Sequence, residues 1–263
     1  MLRVESMCKT PVFCGYSIVV IHDLAKVKSR VRVSLPAPEI NMENKISIVV
    51  PTMWKFQPFL DFLVDLVQLE IIDEIHVINN NIAETPIHAA LSHHKIIVHN
   101  FDKNIFVNAA FNFGVAVAKN NFIALMNDDV IFDLKAFYRA ASILKPLTMV
   151  ALSPCSDLTK NVSGEAKLVK FEVGMEAFHF GSCMFIHKHD WIDIPAGIDL
   201  YYGDNWIWDT LVTRGGEVYL IKDVFFSSPT SVTSSNFYTP MWLGREGHIF
   251  EHTIAHFKQR YQK

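Results

Sequence analysis

Phe122-Ile-Ala-Leu-Met-Asn-Asp-Asp-Val130 sets the reading of the whole chain. An apolar run, Phe122 to Met126, passes directly into Asn127, Asp128 and Asp129. A short apolar run closed by polar residues is the pattern of a buried strand. Its end places an amide and two carboxylates at the carboxyl edge of a sheet, where open α/β folds bind ligands. Oxygen donors clustered on a rigid strand end suit a hard divalent cation, Mg2+ or Mn2+. Taken alone, the same residues also describe a polar turn.

The segments before this stretch alternate strand and helix. Ile46 to Val50 is a β-rich run closed by Pro51-Thr52. Pro58 suits the first turn of a helix, and Phe59, Leu60, Leu63, Val64 and Val67 keep helical spacing to Leu69. Glu74 to Ile78 reads as a strand ending in Asn79, Asn80 and Asn81, and Thr85-Pro86 opens a short helix to about Ser92. Lys95 to His99 is a third strand, and Asn104 to Lys119 a small-residue helix. Short connections between such elements predict an α/β fold, with a Rossmann-like, mostly parallel central sheet flanked by helices.

After Asp129 the pattern loosens. A helix is expected over Leu134 to Leu144, and strands over Met149 to Leu152, Leu168 to Val173, Phe178 to His187 and Glu217 to Ile221. Residues 156–166 are polar and loop-like. A short helix, Asn205 to Thr213, follows the acidic turn Tyr201-Tyr-Gly-Asp204. Residues 227–239 are rich in Ser and Thr and read as a mobile loop suited to closing over a ligand. His248 to Tyr261 is an amphipathic helix expected on the outside.

Composition narrows the function. Half of the 263 residues are hydrophobic, enough for a sizeable core. The net charge of −3, from 24 basic and 27 acidic residues, argues against a nucleic-acid partner. Cys8, Cys14, Cys155 and Cys183 form neither a CxxC pair nor a zinc spacing, and read as reduced thiols of an intracellular protein. The apolar run Pro11 to Ile21 is too short to span a bilayer. No transmembrane segment is expected, so the location is cytoplasmic and any membrane association peripheral. Residues 1–41 differ in character from the rest and read as an extension or linker, with a single domain over 42–263 starting at Met42. Asn161-Val-Ser163 is a glycosylation sequon in form alone.

Polar clusters fall at four element ends: Pro51-Thr52, Asn79 to Asn81, Asn127 to Asp129, and Gly203-Asp204. The first three would share one sheet edge. Neither GxxxxGK[ST] nor GxGxxG after the first strand is present, which disfavours an ATPase or a dinucleotide dehydrogenase. A diphosphate held through a metal remains.

In this order the motifs resemble those of family-2-like glycosyltransferases of the GT-A fold, from about Ile46 to Ser228. Ile48-Val-Val-Pro-Thr52 looks like the family's opening strand and turn. Asn104-Ile-Phe-Val-Asn-Ala-Ala-Phe-Asn-Phe-Gly114 looks like its Asn/Gly-rich helix, and Leu125 to Val130 like its Asp-x-Asp region. Gly181-Ser-Cys-Met-Phe-Ile186 resembles its acceptor-side strand, and Tyr202-Gly-Asp-Asn-Trp206 the motif that carries the catalytic base. The chain departs from the family in having Asn79 to Asn81 where an acid is common, Phe106 for Gly and Gly203 for Glu, and no His near Ser227-Ser228. His248 or His252 would replace that His only if the carboxyl-terminal segment folds back.

The resemblance implies the GT-A fold with a smaller acceptor-side sheet, a nucleotide-sugar donor, a glycan or glycoconjugate acceptor, and a divalent cation, Mn2+ or Mg2+. It makes Asp129 the leading metal ligand, with Asn127 assisting. Pro51, Thr52, Asn79, Asn80 and Asn81 would line the base and ribose pocket. Asp102, Asn108 and Asp128 would complete the donor side. Asp204 would be the general base of an inverting transfer, Asp209 its fallback, and Trp206 and Trp208 a stacking surface for an acceptor sugar. As plain residues, Asp204 reads equally as a helix cap, the Asn triplet as a turn, and the tryptophans as core. A nucleotidyltransferase, with Lys55 on the phosphates, and a non-catalytic sugar-nucleotide or glycan-binding module are the alternatives.

Overall fold

The computed structural model describes residues 45–154, 166–228 and 240–261. The 1–41 extension and Met42, Cys8, Cys14 and Cys155, the 161–163 sequon and positions 229–239 of the Ser/Thr-rich loop lie outside the described residues.

Four strands form the parallel half of the sheet. They are β1 (Ile46–Thr52), β2 (Ile72–Asn79), β3 (Ile96–Asn100) and β4 (Phe122–Met126), side by side in the order β3-β2-β1-β4. β1 and β4 are buried throughout, which is why they read as unbroken apolar runs. The sheet continues through β8 (Cys183–His187), β6 (Thr148–Leu152), β9 (Glu217–Lys222) and β7 (Lys167–Lys170). β8 is antiparallel to both β4 and β6, and β7 is antiparallel to β9. A separate two-stranded sheet pairs β5 (Ile131–Phe132) with β10 (Phe226–Ser227), immediately after the Asn127–Asp129 cluster.

Side chains alternate across a strand, so each face of the sheet builds its own core. Ile46, Ile48 and Val50 of β1 join the cluster under α1 (Pro58–Val67) and α3 (Lys135–Ala141). Val49 joins the opposite cluster, with α2 (Phe106–Val117), α4 (Gly203–Thr213) and α5 (Pro240–Tyr261). Gly114 lets α2 lie almost on the sheet, since a Cβ there would fall 2.1 Å from Val49 Cγ1. This is the expected α/β architecture, with helices on both faces.

Several boundaries differ from the sequence reading. Thr85 to Ser92 is no continuous helix: only Ala89–Ser92 forms a single turn, and another, Ile82–Glu84, precedes it. Ile87 is fully exposed, and only Ala90 and Leu91 reach the core, too few for the apolar stripe of a helix. The expected strand from Phe178 begins only at Cys183, because His179 takes a left-handed φ of 57° and a tight turn follows over Phe180–Ser182. β7 stops at Lys170, ahead of Gly174, which has a φ of 96°. α5 extends back to Pro240 and is not merely an outer layer: Glu246, Gly247 and Ile254 are buried. Among the described residues no helix is long and apolar enough to cross a membrane.

Candidate active site

The residues expected on the donor side lie where β1, β2 and β3 end. Thr52 pairs in register with Asn79, and Asn79 with Asn100. The Asn79 amide ties these ends together. Its oxygen accepts from Trp54 Nε1 at 2.7 Å and from the Asn81 N–H at 3.0 Å. Its nitrogen donates to Thr85 Oγ1 and Asn100 Oδ1, both at 2.7 Å. Asn80 is also buried; its N–H donates to the Thr52 carbonyl and its side chain accepts from the Ile105 N–H at 3.2 Å. Asn79 and Asn80 therefore frame the crevice from behind. Pro51 is buried within β1, Asn81 is half-buried at the rim, and Asp102 is exposed in the turn before α2. Lys55, which a nucleotidyltransferase would need on a triphosphate, is paired with Glu84 at 3.1 Å.

The acidic cluster follows β4. The Asn127 N–H donates to the Ser182 carbonyl at 3.0 Å, extending the β4–β8 pairing by one bond. Asp128 turns to β1 and accepts from Thr52 Oγ1 at 2.6 Å. Burial pushes its carboxyl above the ordinary aspartate value, against the opposing hydrogen bonds from Thr52 and the Met53 N–H. Asp129 is buried, at 8% exposure. Among the described residues no three His, Cys, Asp or Glu side chains gather as a metal cage. Magnesium-type sites, however, use one or two carboxylates and complete the shell with substrate phosphates and water. The oxygen donors of Asp129 and Asn127 fit a site of that kind.

The expected acceptor-side residues meet this cluster at the turn before β8. Asp204 lies in the first turn of α4 and packs against Gly181, where a Cβ would come within 2.3 Å of Asp204 Oδ2. Gly181 adjoins Ser182, whose carbonyl holds Asn127. One short turn thus joins the two acidic positions. Burial raises the Asp204 carboxyl above the ordinary value, partly offset by the Asn205 N–H at 2.9 Å. His179, which the sequence reading passed over, opens that turn: its carbonyl accepts from the Ser182 N–H and Oγ, and its ring stacks on Phe226 of β10. Burial lowers the pKa of that imidazole, favouring its neutral form.

Other expected residues lie elsewhere. Asn108 is buried, and its amide donates to the carbonyls of Ile198 (3.1 Å) and Tyr201 (3.2 Å), just ahead of α4. Trp206 is core, at 3% exposure, bonded to the Ile192 carbonyl and packed on Phe257. Trp208 does reach a cavity of about 270 Å³, which it lines with Phe171, Val173 and Val212. Asp209 is occupied by Lys258 at 2.8 Å. His248 and His252 are exposed on α5, with their rings against each other. Glu246 escaped the sequence reading although it falls on the stripe Glu246, Phe250, Ile254 and Phe257, a spacing that marks the buried face of a helix.

No family model and no curated protein matches the chain. Among solved structures, it is similar to S. aureus TarS 1-349, with 12% identity and a TM-score of 0.50 over 67% of this chain and 58% of that one. The chain therefore spans little more than half the length of that structure. A further similarity is to GalNAc-T7 with UDP, GalNAc and Mn2+, with 10% identity, a TM-score of 0.48, and coverage of 76% and 47%. With strand order β3-β2-β1-β4 followed by antiparallel β8, and the acidic cluster at the β4 end, the chain has the GT-A fold.

Proposed function

We propose that residues 42–263 form a glycosyltransferase that moves a sugar from a nucleoside-diphosphate sugar to a hydroxyl of a glycan or glycoconjugate, with inversion. One observation supports this reading: the Gly181-Ser182 turn holds Asn127 by a backbone hydrogen bond and touches the Asp204 carboxylate, so the proposed diphosphate site and the proposed base flank one short turn. Asp129 and Asn127 would hold a divalent cation, which supplies positive charge to the departing diphosphate. Thr52 and Asp128 brace each other on the donor side, and Asn79 with Asn80 keeps the three strand ends in register. Asp204 takes the proton from the acceptor hydroxyl as that oxygen bonds to the anomeric carbon. The bond from that carbon to the diphosphate oxygen breaks as the new one forms, and a single displacement inverts the centre. Burial suits Asp204 to the task, because a raised pKa makes it a stronger base than an ordinary aspartate.

The test is donor hydrolysis across a panel of sugar nucleotides, with Mn2+, Mg2+ or EDTA, on wild type and Asp129→Ala. The expected result is slow release of nucleoside diphosphate from one donor, abolished by EDTA and by the substitution. Binding of a nucleotide without release from any donor would instead indicate a binding module.

A further inference from the structure

The start of α4 has little support from its own sequence: only the Asp204 carboxylate, on the Asn205 N–H, serves the first turn. Its capping residue, Tyr202, has a left-handed φ of 58° and makes no side-chain capping bond. The preceding backbone, residues 198–202, is held by two other helices. From α5, the Glu246 carboxylate, with 0% exposure, accepts from the N–H groups of Leu200 (3.1 Å) and Tyr201 (2.8 Å). From α2, the Asn108 side chain donates to the Ile198 and Tyr201 carbonyls, and its backbone N–H donates to the Asp199 carbonyl at 3.2 Å. Arg245 reaches Asp199 at 3.0 Å and Glu246 at 3.8 Å.

The packing around these bonds is equally close. Tyr202 stacks on Phe250 of α5, with ring centres 5.4 Å apart and planes at 16°. Gly247 leaves room for it, since a Cβ there would lie 2.9 Å from the Tyr202 hydroxyl. Gly203 leaves room for Asn108 in the same way, at 2.0 Å from Oδ1. A buried carboxylate is costly unless its oxygens are satisfied. Here its partners are N–H groups of a non-helical turn that leads within a few residues to Asp204.

We propose that Glu246, together with Asn108, is a positioning residue for Asp204: the two grip the 198–202 turn from opposite sides and so fix where the base stands. The proposal rests on the reading of Asp204 as the base. A displacement of about 1 Å at a reacting group costs on the order of 100-fold in rate, so the grip matters for turnover beyond its share in stability.

The test compares wild type with Glu246→Ala, Glu246→Gln and Gly247→Ala. Amide hydrogen exchange at Leu200 and Tyr201 reports the turn. Carbon NMR titration of aspartate-labelled protein, with the Asp204 signal assigned from Asp204→Asn, reports the base without any substrate. In Glu246→Ala both amides should lose protection, and the Asp204 titration should move down toward the ordinary aspartate range. Glu246→Gln keeps one acceptor oxygen and should restore both in part. Gly247→Ala keeps the carboxylate but pushes Tyr202, and should move Asp204 even if Glu246→Ala does not fold. With a donor and acceptor in hand, kcat should fall about 100-fold in Glu246→Ala while the donor KM holds. Loss of amide protection with an unmoved Asp204 titration would overturn the proposal, as would unchanged protection. The exchange and titration readouts need no substrate, so they separate a failed grip from a chain that proves not to be a transferase.

Discussion

At the scale of single residues, the site depends on carboxylates in unequal surroundings. Asp204 is pushed up by burial, so it gains its proton at a higher pH than the ordinary aspartate value of 3.8. As the proposed base it would work only when ionised, so transfer should decline as pH falls through that raised value. A profile of kcat/KM against pH should therefore show an acid limb above the usual aspartate range. In Asp204→Asn the limb should vanish and the rate fall about 100- to 10,000-fold, with nucleotide binding kept; an unchanged limb would assign it to another group. The places of Asn127, Asp129 and Asp204 at the ends of β4 and α4 were legible in the sequence because each stands where a short run of one pattern ends. The roles of Asn79 and Asn108 were not. Each amide is consumed by a partner distant in sequence, Trp54 and Asn100 for one and Ile198 and Tyr201 for the other. Such partnerships leave no local trace.

Elements with a strong apolar pattern were read well. β1, β2 and β4 match their expected places because burial on both faces makes a short unbroken apolar run, and α1 because burial of one face imposes a period of 3.6. The 82–92 segment and the start of β8 were misread because left-handed and single-turn backbone follows from packing, and His179 gives no glycine or proline signal for it. On α4, Asp204, Trp208 and Val212 follow at four-residue spacing and so share one flank. Trp208 packs edge-on to both Phe180 and Phe171, so a row of rings runs along α4 from beside Gly181 to the cavity at Val212, at the sheet edge opposite the Asn127–Asp129 cluster. On the proposed reading, an acceptor long enough to reach that cavity from Asp204 would pass along this row. Val212→Arg should obstruct it at a position already 47% exposed, so the fold should survive. Steady-state kinetics should show acceptor KM raised about tenfold, equivalent to about 1.4 kcal/mol, with donor KM unchanged. An unaltered acceptor KM would place the acceptor elsewhere.

At the scale of the whole molecule, a buried polar chain crosses the parallel half of the sheet. Glu74 accepts from Ser47 Oγ at 2.6 Å and from the Lys119 N–H at 2.7 Å, and His76 lies 3.2 Å from it. His76 in turn meets His99 on β3 at 2.9 Å. Burial works to raise the Glu74 pKa, but its hydrogen bonds together outweigh that and lower it. His99 is lowered by burial first and by neighbouring His76 second. Both groups bind protons less readily folded than unfolded, so both give stability that is lost as pH falls. The His99 share should go below its ordinary value of 6.5, and the Glu74 share below 4.5. Melting temperatures across pH 8 to 4 should decline in those two windows, and His99→Gln should flatten the first. This network, like the two cores, joins segments that the sequence shows only as separate strands. The mostly parallel sheet was legible because alternation and short connections restrict the topology, and the GT-A fold through the resemblance of the motifs; the strand order and the cross-links that stiffen it were not. The grip of α2 and α5 on the 198–202 turn also separates what can drift from what is retained. Asp204 is held by helices and by the 198–202 turn, not by the segments that end β1, β2 and β3. Substitutions at those strand ends should therefore leave its position as it is.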